Sequence, residues 1–287
     1  MKNIMLMTAA FCAITAGAFT NEVDGIFQYK VGQFEVYMLV ESERDGNTGI
    51  LVGADEAVLR RFIPTTGFRH TANAFLVRTP TQNILIDFGT GANGILLEKI
   101  RRIGVEPETI DTVLITHLHM DHFGGLQRDG EAVFPNAVIY LSVRELEHFT
   151  LTNPNQAAIN TLELYKSQVE TFEPGALYSN QLREIVPGIT PIAAYGHTPG
   201  HTIFQIENGE DKLLIIGDLL HVALVQFPIP DISATFDIDP IAAAHTRLRV
   251  LSYAAMRKIP VGGMHIVNPG IGHVETDGIG FRFSPLK

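Results

Sequence analysis

The sequence predicts a mixed α/β fold in which short buried strands are framed by helices. One observation is a set of short apolar runs, such as residues 113–115, that end abruptly in polar side chains. Another is a set of amphipathic, helix-like segments that begin with capping residues. The third is a β-rich layout that occurs twice. Together these patterns predict sheets covered by helices, with functional side chains gathered at strand ends.

The repeated layout consists of two apolar runs joined by a polar turn, and the second run ends at an aspartate next to a glycine. It appears first over residues 74–77 and 83–91, where the aspartate is Asp87. It returns over residues 202–206 and 213–220, where the aspartate is Asp218. This repetition indicates two similar β-rich halves.

Helices are predicted between and after these strands, over residues 93–103, 142–149, 155–171 and 240–258. Ser142 and Asp239 are typical N-cap residues, and Pro240 suits the first position of the last helix. In that helix an apolar stripe is formed by Ala244, Leu248, Leu251 and Ala255. Arg247 falls off the stripe and is expected on the solvent side.

Composition limits the functions available to the chain. Its 287 residues contain 21 Lys and Arg against 31 Asp and Glu, and no basic run exceeds two residues. Binding to nucleic acid would call for a basic patch. The acidic balance instead suits an enzyme of neutral or apolar small molecules, and outside the N-terminus no apolar run is long enough to span a membrane.

Residues 1–20 differ from the rest and predict a secretory signal peptide. Lys2 precedes an uncharged, mostly apolar stretch that ends in Ala16-Gly17-Ala18, a typical cleavage site. The alternative is an apolar segment that packs on the domain. Cleavage would place the protein in the periplasm or outside the cell and would remove Cys12, the only cysteine. Residues 21–287 are then expected to form one domain with histidine and carboxylate ligands only.

The densest chemical signal follows the apolar run 113–115. His117, His119, Asp121 and His122 fall within six residues. In an extended chain, side chains at every second position point to the same side, which here groups the first three. Imidazole and carboxylate together suit zinc and its first-row neighbours, so this loop predicts a metal site.

Later segments supply further ligand candidates. A Gly/Pro turn carries His197 and His201, and two apolar runs end at Asp218 and His265. Each candidate adjoins a short apolar segment, as expected of side chains presented at one edge of a sheet.

The pattern H-x-H-x-D-H over residues 117–122 resembles the signature of the metallo-β-lactamase superfamily. Residues 217–222 and 269–273 are most similar to the methyl parathion hydrolase group. The resemblance implies a four-layer αββα sandwich, a homodimer, and two divalent ions, zinc first with Mn, Co or Fe as alternatives. The resemblance assigns His117, His119 and His201 to one ion. It assigns Asp121, His122 and His265 to the other ion, and Asp218 to both.

The resemblance also implies a hydrolase that uses a metal-bridging hydroxide on phosphotriesters, aryl esters or lactones. In this scheme Asp121 could also carry the proton. His221 would stabilise developing charge or the leaving group. Well-studied autoinducer lactonases have Tyr where this chain has His221, which favours the organophosphate and aryl-ester branch.

Several alternatives stay open at this point. The first is an N-acyl homoserine lactonase, the second a thioesterase of the glyoxalase II type, and the third a metal-binding protein without catalysis. The thioesterase is disfavoured because no long basic segment follows His265. Redox relatives carry Glu at the position of His119, and true β-lactamases lack a carboxylate at the position of Asp218, so both classes are disfavoured.

Other residues receive secondary roles. Asp87 is expected to accept the free N–H of a ligand imidazole, with a simple turn carboxylate as the alternative. His197 is interpreted as a structural residue or as a partner of a ligand, and His70 as a surface or packing residue. Four phenylalanines could wall an aromatic pocket, with ordinary core packing as the alternative: Phe68, Phe123, Phe149 and Phe227, of which Phe123 is favoured.

Overall fold

The computed structural model describes residues 22–286. The predicted signal peptide, residues 1–20, lies outside this range, so its cleavage and the periplasmic or secreted location stay predictions. Within residues 22–286, no helix is both long enough and apolar enough to cross a membrane.

Eighteen strands form within the described residues. They are β1 Glu22–Val23, β2 Ile26–Val31, β3 Phe34–Asp45, β4 Leu51–Val52, β5 Arg69–Arg78, β6 Asn83–Ile86, β7 Thr112–Leu114, β8 Gln127–Arg128, β9 Glu131–Ala132, β10 Val138–Ser142, β11 Val169–Phe172, β12 Ile189–Ala193, β13 Thr202–Asn208, β14 Asp211–Ile215, β15 Ser233–Ala234, β16 Val261–Gly262, β17 Ile271–Asp277 and β18 Gly280–Pro285.

Seven α-helices form in the same range. They are α1 Glu56–Phe62, α2 Ile95–Arg102, α3 Met120–Phe123, α4 Val143–Glu147, α5 Gln156–Leu164, α6 Ala223–Gln226 and α7 Pro240–Arg257. The expected caps are present, because Ser142 accepts a hydrogen bond from Glu145 N and Asp239 accepts one from Ala242 N.

Two large sheets organise the molecule. The eight-stranded sheet has the order β1-β2-β3-β5-β6-β7-β10-β11, and the six-stranded sheet has the order β12-β13-β14-β16-β17-β18. Their inner faces share one apolar cluster, to which Phe75 and Ile86 contribute from one sheet and Phe204 and Ile215 from the other.

The outer faces of the sheets are covered by helices. Helices α2 and α5 pack on the eight-stranded sheet, and α7 packs on the six-stranded sheet through Val250, Leu251 and Ala254. In β5, Phe75 lies in the cluster between the sheets while Leu76 lies under the helices. Both faces of such a strand are buried, which explains its continuous apolar sequence. The arrangement confirms the four-layer αββα sandwich.

The repeated layout of the sequence corresponds to an antiparallel hairpin followed by a parallel neighbour in each sheet. Hairpin β5–β6 is followed by β7, with Ile86 opposite Leu114. Hairpin β13–β14 is followed by β16, with Ile215 opposite Gly262. Carboxyl ends of adjacent parallel strands meet at one edge. Asp87 therefore lies beside the loop after β7, and Asp218 lies beside the loop after β16.

Two helix predictions need correction. The helix predicted over residues 155–171 ends at Leu164, and the chain then forms β11, in which Val169 pairs with Ile139. The buried Tyr165 ends the helix, because its hydroxyl donates to Leu126 O and accepts from Phe134 N. Arg247, expected on the solvent side of α7, is only 1% exposed.

Candidate metal centre

The loop after β7 carries the densest group of histidines. His117 is fully buried, the backbone of His119 is extended, and α3 starts at Met120, which places Asp121 and His122 on its first turn. The change from extended to helical backbone turns the four side chains toward two neighbouring points instead of one.

Three histidines meet at the first point. His117 Nε2 lies 3.1 Å from His119 Nδ1. His197 Nε2 lies 3.1 Å from His117 Nε2 and 3.0 Å from His119 Nδ1. We call His117, His119 and His197 the first cluster; its three nitrogens are within 4.8 Å of one another.

The outer ring nitrogens define where the protons of the first cluster lie. Thr116 Oγ1 donates to Asp87 Oδ2 at 2.7 Å, so it accepts from His117 Nδ1 at 3.0 Å. His197 Nδ1 donates to Asp237 Oδ1 at 2.9 Å. The hydrogen-bond network thus assigns lone pairs to the inward Nε2 atoms of both histidines. Lone pairs facing each other at 3.1 Å repel unless a cation lies between them.

An aspartate pair and two histidines form a second cluster, Asp121, His122, Asp218 and His265. His122 Nδ1 donates to Asp87 Oδ2 at 2.7 Å, and His265 Nδ1 donates to Thr71 O at 2.8 Å. Their Nε2 atoms face Asp218 at 3.2 and 3.1 Å. His122 Nε2 and Asp218 Oδ1 are buried without a hydrogen-bond partner among the described residues. The Nε2 atoms of this cluster thus face carboxylate oxygens, so either protons or a metal ion must lie between them.

Asp218 lies between the two clusters. Its Oδ2 is 3.7 Å from His117 Nε2 and 3.5 Å from His197 Nε2, while its Oδ1 faces His122. A carboxylate has two oxygens that can each bind a cation, so this position suits a residue shared by two metal ions.

Burial and charge set the protonation of the two clusters. Burial lowers the pKa of His117 well below 6.5 and that of His197 to about 3, so both imidazoles are neutral and can bind metal. Burial alone would also lower the pKa of His122 and His265. Asp218 and Asp121 outweigh it and raise both pKa values above 6.5. In the second cluster a metal ion therefore competes with protons.

His201 does not belong to either cluster, which contradicts its assignment as a ligand. Its Nδ1 donates to Ala194 O at 3.0 Å, and its Nε2 accepts from Asp218 N at 3.0 Å. Both ring nitrogens are thus engaged, and His201 positions the backbone of Asp218. Gly217 makes room for this contact, because a Cβ there would lie 2.5 Å from His201 Nε2. His197, interpreted from the sequence as structural or as a partner of a ligand, takes the place beside His117 and His119.

Two further histidines lie against His265. The ring of His221 stacks on it at 5.2 Å with an angle of 24°, and the ring of His70 lies 4.7 Å from it. His221 Nε2 is 3.2 Å from Asp218 Oδ2. Burial, followed by the nearby His265 and Arg44, lowers the pKa of His70 to about 4. His70 is buried and lines the cavity at the clusters. Of the two roles expected for it, surface residue or packing residue, the structure supports packing.

Two cavities open at the clusters. One, of about 710 Å³, is lined by Asp121, Asp218 and His119 and by the polar residues Arg44 and Asp45. The other, of about 660 Å³, has mostly apolar walls. The two cavities share His221 and His265. The apolar cavity therefore adjoins the cavity at the clusters.

The aromatic residues of the apolar cavity are only partly those expected. Phe68 and Phe227 line it, together with Phe281 and Phe283 near the C-terminus. Phe123, the favoured candidate, and Phe149 are instead buried in the core under the helices. Phe123 lies on α3 beside the histidines in sequence, but the helix turns its ring away from the cavity.

Some important residues were missed by sequence reasoning. Asp237 Oδ1 accepts a hydrogen bond from His197 Nδ1, and Asp237 Oδ2 accepts one from Ala234 N. The guanidinium of the buried Arg247 lies 3.5 Å from Asp237 Oδ2. Nothing in the surrounding sequence distinguishes Asp237 from a loop carboxylate. Asp87 does orient a site imidazole, as expected, through its hydrogen bond with His122.

The sequence profile of the metallo-beta-lactamase superfamily matches residues 67–258. The chain belongs to this superfamily. Its described residues include groups of histidine and aspartate side chains that could hold metal ions.

Two curated relatives illustrate the range of activities among similar proteins. Thioesterase pkgB of Emericella nidulans is 32% identical over 146 residues, which cover 51% of this chain and 35% of the relative. An N-acyl homoserine lactonase of Bacillus cereus is 29% identical over 140 residues, covering 45% of this chain and 49% of the relative. The matches thus span half or less of each relative's length.

Solved structures match over nearly the whole chain. The hydrolase AbOPH of the beta lactamase superfamily has a TM-score of 0.80 and 28% identity, covering 93% of this chain and 99% of that one. AidC, a dizinc quorum-quenching lactonase solved with a product, has a TM-score of 0.80 and 24% identity, covering 94% and 98%. These similarities agree with the four-layer fold.

Proposed function

We propose that the protein is a binuclear metal-dependent hydrolase of lactones and esters that carry an apolar chain or ring. The observation that carries the proposal is the pair of clusters joined by Asp218, in which inward nitrogens and carboxylate oxygens converge beside a cavity. Protons or metal ions must neutralise such a set of atoms, and the neutral imidazoles of His117 and His197 favour a metal ion in the first cluster.

The clusters divide the proposed ligands between two ions. The first would be held by His117, His119 and His197, and the second by Asp121, His122 and His265, with Asp218 shared. Nitrogen and carboxylate donors fit zinc, with Mn, Co or Fe as alternatives. Two bound ions would supply an activated water and polarise the carbonyl or phosphoryl oxygen of a substrate.

Other residues would handle protons and the substrate. Asp121 has a half-exposed side chain that lines the metal-facing cavity, so its carboxylate can accept a proton from the attacking water. His221 lines both cavities and has a buried Nδ1 without a hydrogen-bond partner within residues 22–286. We assign it to hydrogen bonding with the substrate's charged oxygen or its leaving group.

The substrate class is inferred from how the cavities meet. A polar head at the clusters leaves a chain or ring free to enter the apolar cavity past His221 and His265. An acyl-homoserine lactone has this shape, and the Bacillus cereus relative is a lactonase of this kind. A phosphotriester with an aryl group is the second candidate, favoured by His221 in place of the tyrosine of well-studied lactonases.

The test compares substrates on one zinc-loaded preparation. We expect a kcat/KM for N-decanoyl homoserine lactone well above that for methyl parathion; the reverse order would establish the phosphotriester branch. A thioester added to the panel tests the activity of the Emericella nidulans relative. Asp218→Ala should lose both zinc and turnover, whereas Glu108→Ala, an exposed carboxylate change, should keep both. A protein that binds zinc but hydrolyses no member of the panel would be a metal-binding protein without catalysis.

The expected homodimer and periplasmic or secreted location remain predictions. Light scattering after size-exclusion chromatography tests the first, and the N-terminal sequence of the secreted protein tests the second.

A further inference from the structure

Glu145 is a buried carboxylate that contacts both loops of the first cluster. It lies in α4 and is 1% exposed. Its Oε1 accepts from Leu118 N at 2.8 Å, and its Oε2 accepts from Thr198 Oγ1 at 2.7 Å and Gly200 N at 3.0 Å. No cationic side chain within residues 22–286 forms an ion pair with it.

The local sequence explains how Glu145 becomes available for these contacts. Ser142 and Glu145 have the spacing of a capping box, in which the glutamate normally bonds back to the N-cap N–H. Ser142 does cap α4, accepting from Glu145 N at 3.2 Å. Both carboxylate oxygens of Glu145, however, point away from the helix to other loops. Ser142 Oγ also reaches the same region, donating to Gly200 O at 3.0 Å.

The donors that reach Glu145 adjoin the three ligands of the first cluster. Leu118 lies between His117 and His119, and Thr198 follows His197 directly. The second cluster has no such connection, because Glu145 has no hydrogen bond to α3 or to the strand ends that carry Asp218 and His265 among the described residues. Glu145 thus joins the two loops that must approach each other to form the first cluster.

The energetic cost of this arrangement supports a role beyond packing. A buried carboxylate without a cation loses hydration that three neutral donors only partly replace. Burial outweighs these hydrogen bonds and raises the pKa of Glu145 to about 7. An apolar side chain would fill the same space without this cost, but it could not hold two backbone N–H groups and a hydroxyl.

We infer that Glu145 is a positioning residue that fixes the distance between the two histidine loops and thereby the metal affinity of the first cluster. Within the described residues it has no hydrogen bond to a member of either cluster, and it lines neither cavity. The inference rests on the proposed metal site but not on the proposed substrate.

Zinc binding tests this role directly. The variants are Glu145→Gln, which keeps the size but not both acceptor oxygens, and Thr198→Val, which removes one donor and leaves the carboxylate in place. Zinc per chain is measured by mass spectrometry of metals at increasing chelator concentration. We expect Glu145→Gln to lower the affinity of one of the two ions roughly ten- to hundredfold, as loss of a partner outside the ligand set does, and Thr198→Val to lower it less.

Two controls separate positioning from general stability. Glu147→Gln changes an exposed carboxylate on the same helix and should leave both affinities unchanged. Asn155→Ala removes the N-cap of α5, which accepts from Ala157 N and Ala158 N, and should lower the melting temperature without selective zinc loss. In a His265→Ala background, which weakens the second cluster, Glu145→Gln should still weaken the remaining ion.

The inference is overturned if Glu145→Gln holds both ions at wild-type affinity, or if it weakens both equally in proportion to its loss of stability. Because the readout is zinc binding without substrate, it is independent of turnover. A protein that binds two ions and hydrolyses nothing would refute the proposed function and leave the role of Glu145 intact.

Discussion

Replacing His197 and His201 separately by alanine distinguishes the ligand from the residue that supports the backbone. Both histidines are buried, and they lie four residues apart in the same turn. In the structure only His197 turns a nitrogen toward His117 and His119. His201 instead bonds to Ala194 O and Asp218 N.

The two substitutions should therefore differ in kind. His197→Ala removes one of three nitrogens from the first cluster, so zinc affinity there should fall by at least about a hundredfold. A loss of about a hundredfold is the upper end for removing a residue that only hydrogen-bonds to a ligand. His201→Ala leaves a buried N–H and a buried carbonyl without partners, each at about 1–3 kcal/mol. With the lost ring volume, the free energy of unfolding should fall by roughly 3–6 kcal/mol.

Zinc content after dialysis against a chelator and calorimetry of the zinc-free proteins measure both effects. We expect one zinc per chain for His197→Ala but two zincs for His201→Ala; both zinc-free variants should be less stable than wild type, because His197→Ala also leaves Asp237 Oδ1 without its donor. His201→Gln, which can retain an acceptor and a donor, replaces the alanine variant if that one does not fold. Selective zinc loss from the His201 variants, with two zincs kept by His197→Ala, would refute the assignment.

Three further predictions concern the surroundings of the clusters. Asp87→Asn should weaken the ion of the second cluster about ten- to hundredfold, because Asp87 accepts the outer N–H of His122; unchanged zinc content would contradict this. Burial raises the pKa of Glu145 from 4.5 to about 7, so its stabilising contribution is complete below pH 4.5 and is lost as the pH rises through 7. Between these pH values the free energy of unfolding of the zinc-free wild type, measured by urea titration, should fall by roughly 3 kcal/mol more than that of Glu145→Gln. The same pH dependence for both proteins would contradict the assignment. Ala223→Phe, in the wall of the apolar cavity, should reduce kcat/KM for decanoyl substrates far more than for butanoyl ones, and an equal reduction would exclude this cavity as the chain site.

The sequence was most informative where periodicity and function coincided. Apolar runs ending at Asp87, His117 and Asp218 predicted strand ends at one edge, and the parallel pairing of β6 with β7 and of β14 with β16 produces that edge. The long helix α7 was predicted to within one residue, because Asp239 and Pro240 mark its start clearly.

The sequence could not decide contacts that depend on how loops pack. In the turn of residues 196–202 either histidine could face the clusters, and only the entry of the chain into β13 at Thr202 turns His201 toward Asp218 N. The same limit applies to Glu145, because nothing in its helical sequence indicates the three distant donors that its carboxylate accepts from. Phe123 was misplaced because the short helix α3 rotates its ring into the core.

The distribution of ligand candidates over the two sheets has a mechanical consequence. In the first cluster His117 and His119 follow a strand of the eight-stranded sheet, whereas His197 follows a strand of the six-stranded sheet. The second cluster is divided in the same way, with Asp121 and His122 from one sheet and Asp218 and His265 from the other. Ions held here would act as cross-links across the sandwich. Neither half of the chain could form a cluster alone, so opening the seam between the sheets would release both ions together.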